Sequence, residues 1–285
     1  MTNLIMAGVR RYLKFPVWWC CVAAALILGI FFGNIAYKDQ SLDVSYIIFM
    51  QILYAVLISL SIGREWEDGG LRNKVINGYR KVTVFLSELI LAVCASLLLT
   101  FLSLMTFALL CGGFFPASQF NVGMSCLLNL LLLGIASAVI DVTLCMLISS
   151  RSIAAVLALL LILGMVLAVD QLNAKLNQPE KHVEITTLYN EETGHWERQR
   201  VYSPNPDYVS GKQRACYQFL VRLIPIGQAD EHIEILNVCA RLDQIEKNLK
   251  KTDTAVLSVG TLYSIGLTAA LTAVGSAAFR RKELK

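Results

Sequence analysis

Six apolar runs, each long enough to cross a bilayer, constrain this chain more than any other feature. They lie at about Phe15–Ala36, Val44–Gly63, Val82–Cys111, Gly123–Ser149, Ser152–Val169 and Thr254–Phe279. A helix needs roughly 20 apolar residues to cross the hydrocarbon core. Lipid offers backbone amides no partners, so such runs must pair their own amides as helices. The composition, 56% hydrophobic and 16% charged, is that of a membrane protein rather than a soluble domain. The predicted fold class is therefore an all-α polytopic membrane protein with six transmembrane helices. The first run has the basic start of a signal peptide. It is longer than the usual apolar region, and Asn34–Tyr37 is a poor cleavage site, so it is read as a retained span.

The net charge of +4 needs no nucleic-acid partner, because the basic residues sort by side of the membrane. Arg10, Arg11 and Lys14 precede the first span, and the group from Arg64 to Lys81 follows the second. Arg151 follows the fourth span, and Arg280, Arg281, Lys282 and Lys285 follow the sixth. The positive-inside rule then puts the N and C termini in the cytoplasm. The expected organisation is a cytoplasmic interfacial segment 1–14, helices one to five over 15–169, an extracytoplasmic subdomain 170–253, a sixth helix 254–279 and a cytoplasmic tail 280–285. The expected location is a cell membrane, multi-pass, most simply a bacterial cytoplasmic membrane, with the lipid bilayer as the first partner.

Residues Thr2–Lys14 place Leu4, Ile5, Val9, Tyr12 and Leu13 against Arg10, Arg11 and Lys14. The pattern suits a helix lying in the interface, and equally an ordinary positive flank. In the outer segment, His182–Tyr189 and His195–Tyr202 read as a β-hairpin around the turn-rich Asn190–Gly194. Lys212–Ile224 reads as a helix that Pro225–Gly227 ends, and Asp230–Lys251 as a second one. The subdomain is thus expected to be small and α+β. Cys20, Cys21, Cys94, Cys111, Cys126 and Cys145 fall in or at the ends of spans, where cysteine packs as a small apolar residue. Cys216 and Cys239 are a possible disulfide if their compartment is oxidising.

The charged link Gly63–Ile90 has its own logic. Gly69 and Gly70 allow a tight turn, Leu71–Asn77 can form a short helix, and Gly78 stops it. Such a helix at the membrane surface suits a cleft on a soluble partner; a solvated loop that merely sets topology fits the same pattern. Glu65, Glu67 and Asp68 would face that partner or pair with Arg72 and Lys74. Asp141 is a carboxylate within a span, and Glu88 lies near a span entrance. Both are possible intramembrane polar sites. Pairing of Asp141 with a basic residue or with Thr143 is the structural alternative. The scattered His182, His195 and His232 suggest no metal site. The chain lacks GxxxxGK[ST], GxSxG and HExxH, so neither a phosphate loop nor a hydrolase site is expected in it.

The stretch Glu67-Asp-Gly-Gly-Leu-Arg72-Asn73-Lys74-Val-Ile-Asn-Gly78 resembles the cytoplasmic segment of ABC-2 type transporter permeases, the membrane subunits of certain ABC exporters. It departs from that pattern at Gly70, Tyr79 and Glu88. The order of elements is also similar, as is the Ile224-Pro225-Ile226-Gly227-Gln228 stretch before the last span. The resemblance implies a coupling helix near 65–79 that docks on cytoplasmic ABC ATPase subunits. Glu65, Glu67, Asp68, Arg72, Asn73, Lys74, Gly78 and Arg151 would make that contact. It also implies a second permease subunit, as a homo- or heterodimer. ATP and Mg would bind the ATPase, with no cofactor in this chain and no enzyme activity of its own. The expected function is ATP-driven export of amphipathic cargo such as a peptide, a bacteriocin (an immunity role), a lipid or a drug. The alternative is a membrane sensor or accessory protein that reads a ligand with the outer subdomain.

Overall fold

A computed structural model describes residues 1–39, 41, 43–111, 120–190, 195–241 and 253–283. Within these, the side chains of 111, 120–126, 184–190, 195–201, 236, 238–241 and 253–259 are outside the description. The described chain is mostly helical, in the order α1 (Thr2–Lys14), α2 (Pro16–Asp39), α3 (Ser45–Glu67), α4 (Gly70–Ile76), α5 (Lys81–Cys111), α6 (Phe120–Leu147) and α7 (Arg151–Leu176). Strands β1 (Lys181–Asn190) and β2 (His195–Pro204) follow, then α8 (Gly211–Leu223), α9 (Pro225–Arg241) and α10 (Asp253–Arg281). Six helices are long and apolar enough to cross a membrane: α2, α3, α5, α6, α7 and α10. They coincide with the six apolar runs. The chain is a multi-pass membrane protein.

Prolines set two of the junctions. Phe15 separates α1 from α2 with an extended backbone (φ −87°, ψ 117°), as the residue before a proline prefers, and Pro16 opens α2. Ile224 repeats this between α8 and α9, with φ −80° and ψ 127°. The expectation that Pro225–Gly227 only ends a helix is corrected here. Pro225 lacks an N–H that the first turn would leave unpaired anyway, so it starts α9 at once, ahead of the expected Asp230. The hairpin matches expectation: β1 and β2 pair antiparallel from Lys181↔Pro204 to Asn190↔His195. The part of the expected Asp230–Lys251 helix beyond Arg241 lies outside the described residues.

Small residues let the spans approach closely, as they must where lipid gives no hydrophobic push between helices. A Cβ on Gly63 of α3 would stand 2.6 Å from Cγ and 2.9 Å from Cα of Arg151 on α7. Gly29 of α2 meets the Ser103 carbonyl and the Thr106 hydroxyl of α5, and Gly275 of α10 meets Phe85 and Thr143. One apolar core containing Tyr54, Ile58, Ile62, Phe85, Leu99 and Met146 runs through these contacts.

The contacts also sort the helix ends. At one end, Arg151 reaches Glu67 at 3.5 Å, Lys282 donates to the Leu147 carbonyl at 2.8 Å, and Lys81 donates to the Lys282 carbonyl at 2.6 Å. Among the described residues, the basic groups used above to assign sides therefore collect at one end of the bundle or on the helix, α1, packed there; Lys285 lies outside the described residues. At the other end, Asn173 of α7 donates to Asp230 of α9 at 2.9 Å, and His232 of α9 packs on Gly260 of α10. The α8–α9 pair thus covers the end opposite the basic one.

Gly63→Leu forces α3 and α7 apart at the Arg151 backbone. It is expected to destabilise the protein by about 1–3 kcal/mol in detergent unfolding, the usual range for overpacking. Gly164→Ala, where a new Cβ meets nothing within 4 Å, leaves the midpoint unchanged or raises it.

Candidate functional site

The link between α3 and α5 is built by two left-handed glycines. Gly69 (φ 67°) follows the last turn of α3 and caps α4, its carbonyl accepting from the Asn73 N–H at 2.9 Å. Gly78 (φ 90°) ends α4. Its N–H bonds the Val75 carbonyl at 3.0 Å, and the Tyr79 N–H bonds the Lys74 carbonyl at 3.2 Å. These two bonds form a Schellman motif, which needs the left-handed residue that glycine supplies. The short helix read over Leu71–Asn77, with Gly78 as its stop, matches, whereas the helix near 65–79 that the resemblance implied divides into two pieces. Glu65 and Glu67 belong to the last turn of the span helix α3, and the short helix proper is Gly70–Ile76. The turn at Gly69 separates them.

Four charges from four helices close a ring beneath α4. Lys74 of α4 lies 2.6 Å from Glu65 Oε2 on α3 and 2.7 Å from Glu88 Oε1 on α5. Arg11 of α1 lies 2.8 Å from Glu88 Oε2 and also pairs with Glu65. Each carboxylate thus bridges both cations, and the ring is neutral. Glu88 is 1% exposed and Glu65 9%. Burial alone would lower the pKa of the Arg11 guanidinium; Glu88 and Glu65 outweigh it and hold the group above its ordinary value. Charges this deep are expensive to expose singly and tolerable together.

With Lys74 turned inward, α4 presents its other side. Leu71 is fully buried, whereas Arg72, Asn73, Ile76 and Asn77 are exposed, Ile76 by 68%. Arg72 makes no ion pair among the described residues. Asp68 pairs with Arg64 at 3.2 Å on the surface. The Arg151–Glu67 pair brings the start of α7 beside the end of α3, so the α6–α7 link adjoins the α3–α4 corner.

A tail completes this end. Lys282 donates to the Met146 and Leu147 carbonyls at 3.4 and 2.8 Å, capping the C-terminus of α6. Its ammonium sits 3.9 Å from the centroid of the Trp66 ring, and Trp66 Nε1 donates to the Cys145 carbonyl at 3.1 Å. Burial lowers the Lys282 pKa.

Of the two alternatives the sequence left for Glu65, facing a partner or pairing with Arg72 and Lys74, the structure shows the pairing with Lys74. Glu88, read as a possible intramembrane polar site, joins the same ring. Sequence reasoning missed Arg11, taken only as a topology charge. The available signal was the spacing Leu4, Gly8, Arg11, Tyr12, which sets Arg11 on the buried stripe of α1.

Asp141 of α6 is 3% exposed and stands apart from the ring. The expected pairing is corrected: no basic side chain among the described residues is within ion-pair distance. Thr143 leaves its own Oγ1 without a hydrogen bond. Residues two apart on a helix face different ways, and Thr143 faces Gly275 of α10. Of the possible disulfide, Cys216 is exposed on α8, and the Cys239 side chain lies outside the described residues. No group of three or more His, Cys, Asp or Glu among the described residues is arranged to hold a metal.

At the opposite end, a cavity of about 190 Å³ opens between α7, α8 and α9, lined by Asn173, Gln218, Arg222, Asp230, Glu231 and Glu234. Arg222 pairs with Glu231 at 2.9 Å. Burial, then the neighbouring Glu234, raises the Asp230 pKa, against the Asn173 hydrogen bond. No protein-family model and no curated protein matches this sequence.

Lys74→Met leaves Glu65 and Glu88 with one cation between them. It is expected to cost about 3–5 kcal/mol, the loss that follows breaking a buried pair. Adding Glu88→Gln should recover part of that loss, so the double variant unfolds at higher temperature than Lys74→Met alone. A double variant that is additive in the two losses would show that the ring is not coupled. Asp230→Asn removes a group whose raised pKa disfavours its charged form. Because a raised carboxyl pKa stabilises the fold below the unfolded value and loses that stability as pH rises, Asp230→Asn should gain stability at neutral pH. The gain should vanish in acid, read by thermal unfolding across pH.

Proposed function

We propose that this chain is the permease subunit of an ABC-2 type exporter, with α4 as its coupling helix. One observation carries the reading: α4 is short, displays Arg72, Asn73 and Ile76 outward, and is gripped from beneath by the Arg11–Glu65–Lys74–Glu88 ring. A helix that must transmit a push needs an exposed face for the motor and a stiff attachment to the spans. A topology loop needs neither. The ring ties α4 to α1, α3 and α5 together, so displacement of α4 moves three elements as one body, a rigid-body transition of the kind that switches access. The charge sorting supports a cytoplasmic basic end in a bacterial cell membrane, with the α8–α9 pair and hairpin outside.

In this reading separate cytoplasmic ATPase subunits bind ATP and Mg, and Arg151 at the α6–α7 link forms a second, smaller contact. A second permease subunit would share the pathway. The apolar spans favour amphipathic cargo: a peptide, bacteriocin, lipid or drug. The cavity between α7, α8 and α9 favours a second reading, a membrane sensor or accessory protein that binds a ligand at its outer end.

The test must spare the ring. Arg72→Glu with Ile76→Ser alters only exposed positions, so the variant keeps the wild-type unfolding midpoint. The tagged wild type, purified from native membranes, should carry an ATPase with a GxxxxGK[ST] loop, and the variant should lose it. Retention of that ATPase by the folded variant would remove α4 as the coupling helix, and absence of any ATPase from the wild type would favour the sensor. For topology, single cysteines at Arg72 and His182 in a cysteine-free background should label from the inside and the outside respectively. Outside labelling at residue 72 contradicts the orientation.

A further inference from the structure

A second concavity lies at the basic end, on the flank of the bundle. The floor is formed by Tyr12 of α1, Trp18 of α2 and Leu91 of α5, and the rim by Val9 and Leu13 of α1 and Leu98 of α5. It encloses about 180 Å³ and is almost wholly apolar. Its rim is uncovered: Val9, Leu13 and Leu98 are 40%, 51% and 48% exposed. An apolar hollow is expected at a lipid-facing surface, so apolarity alone selects no ligand. The charges beside it do.

Helix α1 contains no acidic residue. Its three cations have different fates. Arg11 is committed to the buried ring, whereas Arg10 and Lys14 are exposed and make no ion pair among the described residues. With 3.6 residues per turn, Arg10 and Lys14 fall beyond Leu13, on the side of α1 away from the buried Leu4–Gly8–Tyr12 stripe. The exposed Trp19 ring sits at the same level, with its Nε1 donating to the Leu13 carbonyl at 3.0 Å. Tryptophans so placed mark the headgroup region. An apolar slot therefore opens along one side of α1, whose two exposed cations lie past Leu13 on the water-facing side of the same helix, at headgroup depth.

We propose that this slot is a specific site for one anionic phospholipid: an acyl chain occupies the groove, and Arg10 and Lys14 hold the phosphate-bearing headgroup. A free anion would have no use for the groove, and a zwitterionic lipid would add its own cation beside the two already there. The site shares an element with the ring, because the same helix that supplies Arg11 forms the groove wall. Headgroup binding thus steadies α1 against α5. The proposal rests on α1 lying in the membrane interface, and not on the exporter reading; failure to find an ATPase leaves it untouched.

The experiment uses the full chain reconstituted in nanodiscs containing phosphatidylglycerol and phosphatidylcholine in equal amounts. Lipids that remain after transfer to detergent are counted by native mass spectrometry. The wild type should retain about one phosphatidylglycerol per chain, the single site that the groove provides. Arg10→Gln and Lys14→Gln should each reduce the preference for phosphatidylglycerol about fivefold, the effect of one basic residue at a membrane surface. Leu98→Trp, at an exposed rim position, should fill the groove and abolish retention of either lipid while the unfolding midpoint holds. Equal retention of both lipids by the wild type, or unchanged retention in Leu98→Trp, overturns the proposal. A second copy of the chain seated in the groove would overturn it too: Leu98→Trp would then convert dimer to monomer without changing the lipid count.

Discussion

The neutral ring of Arg11, Glu65, Lys74 and Glu88 is the constraint on which the rest of this end depends. Two carboxylates buried among spans would be intolerable alone, and two cations buried beside them would be no better. Together, each oxygen finds a nitrogen. The geometry is demanding because the four groups come from four helices. Satisfying it fixes where α1 lies, how deep the end of α3 sits and how α4 is rotated. The rotation decides which residues of α4 face outward.

The glycines and prolines supply the freedom that the ring then uses. Gly69 and Gly78 adopt backbone conformations that side chains resist, and they turn the chain sharply enough to bring Lys74 back under its own helix. Pro16 breaks α1 from α2 so that one helix can lie across the bundle while the other enters it. At the far end Pro225 does the same between α8 and α9. There the close approach at Gly227, beside the Val221 carbonyl, sets the two helices against each other.

Much of this architecture was legible in the sequence for identifiable reasons. Apolar runs report spans because lipid imposes one solution on the backbone. Alternation reported the hairpin, and paired glycines reported the short helix. Apart from the Glu65–Lys74 pair, what stayed hidden was partnership. Lys74 and Glu88 are 14 residues apart and Arg11 and Glu88 are 77 apart; no local pattern links them. The same charges that indicate sidedness can also be structural, and a single sequence does not separate the two uses. Asp141 shows the converse. It was conspicuous in the sequence, yet the structure buries it with no ionic partner among the described residues. Pro225 was misread because the residue that ends one helix is also a good first residue for the next.

Lys282 has a consequence for the order of assembly. The carbonyls at the end of α6 emerge during synthesis well before their cap, which lies 135 residues further along the chain. Until the last span has inserted, the α6 terminus has no lysine to close it, and the indole of Trp66 has no cation above it. The basic end therefore acquires its final form only when the last helix docks. A contact of such high sequence separation is among the slowest to form. The surface formed by the α3–α4 corner and the α6–α7 link is in this sense a report on α10: it exists in full only on a chain in which that helix is in place.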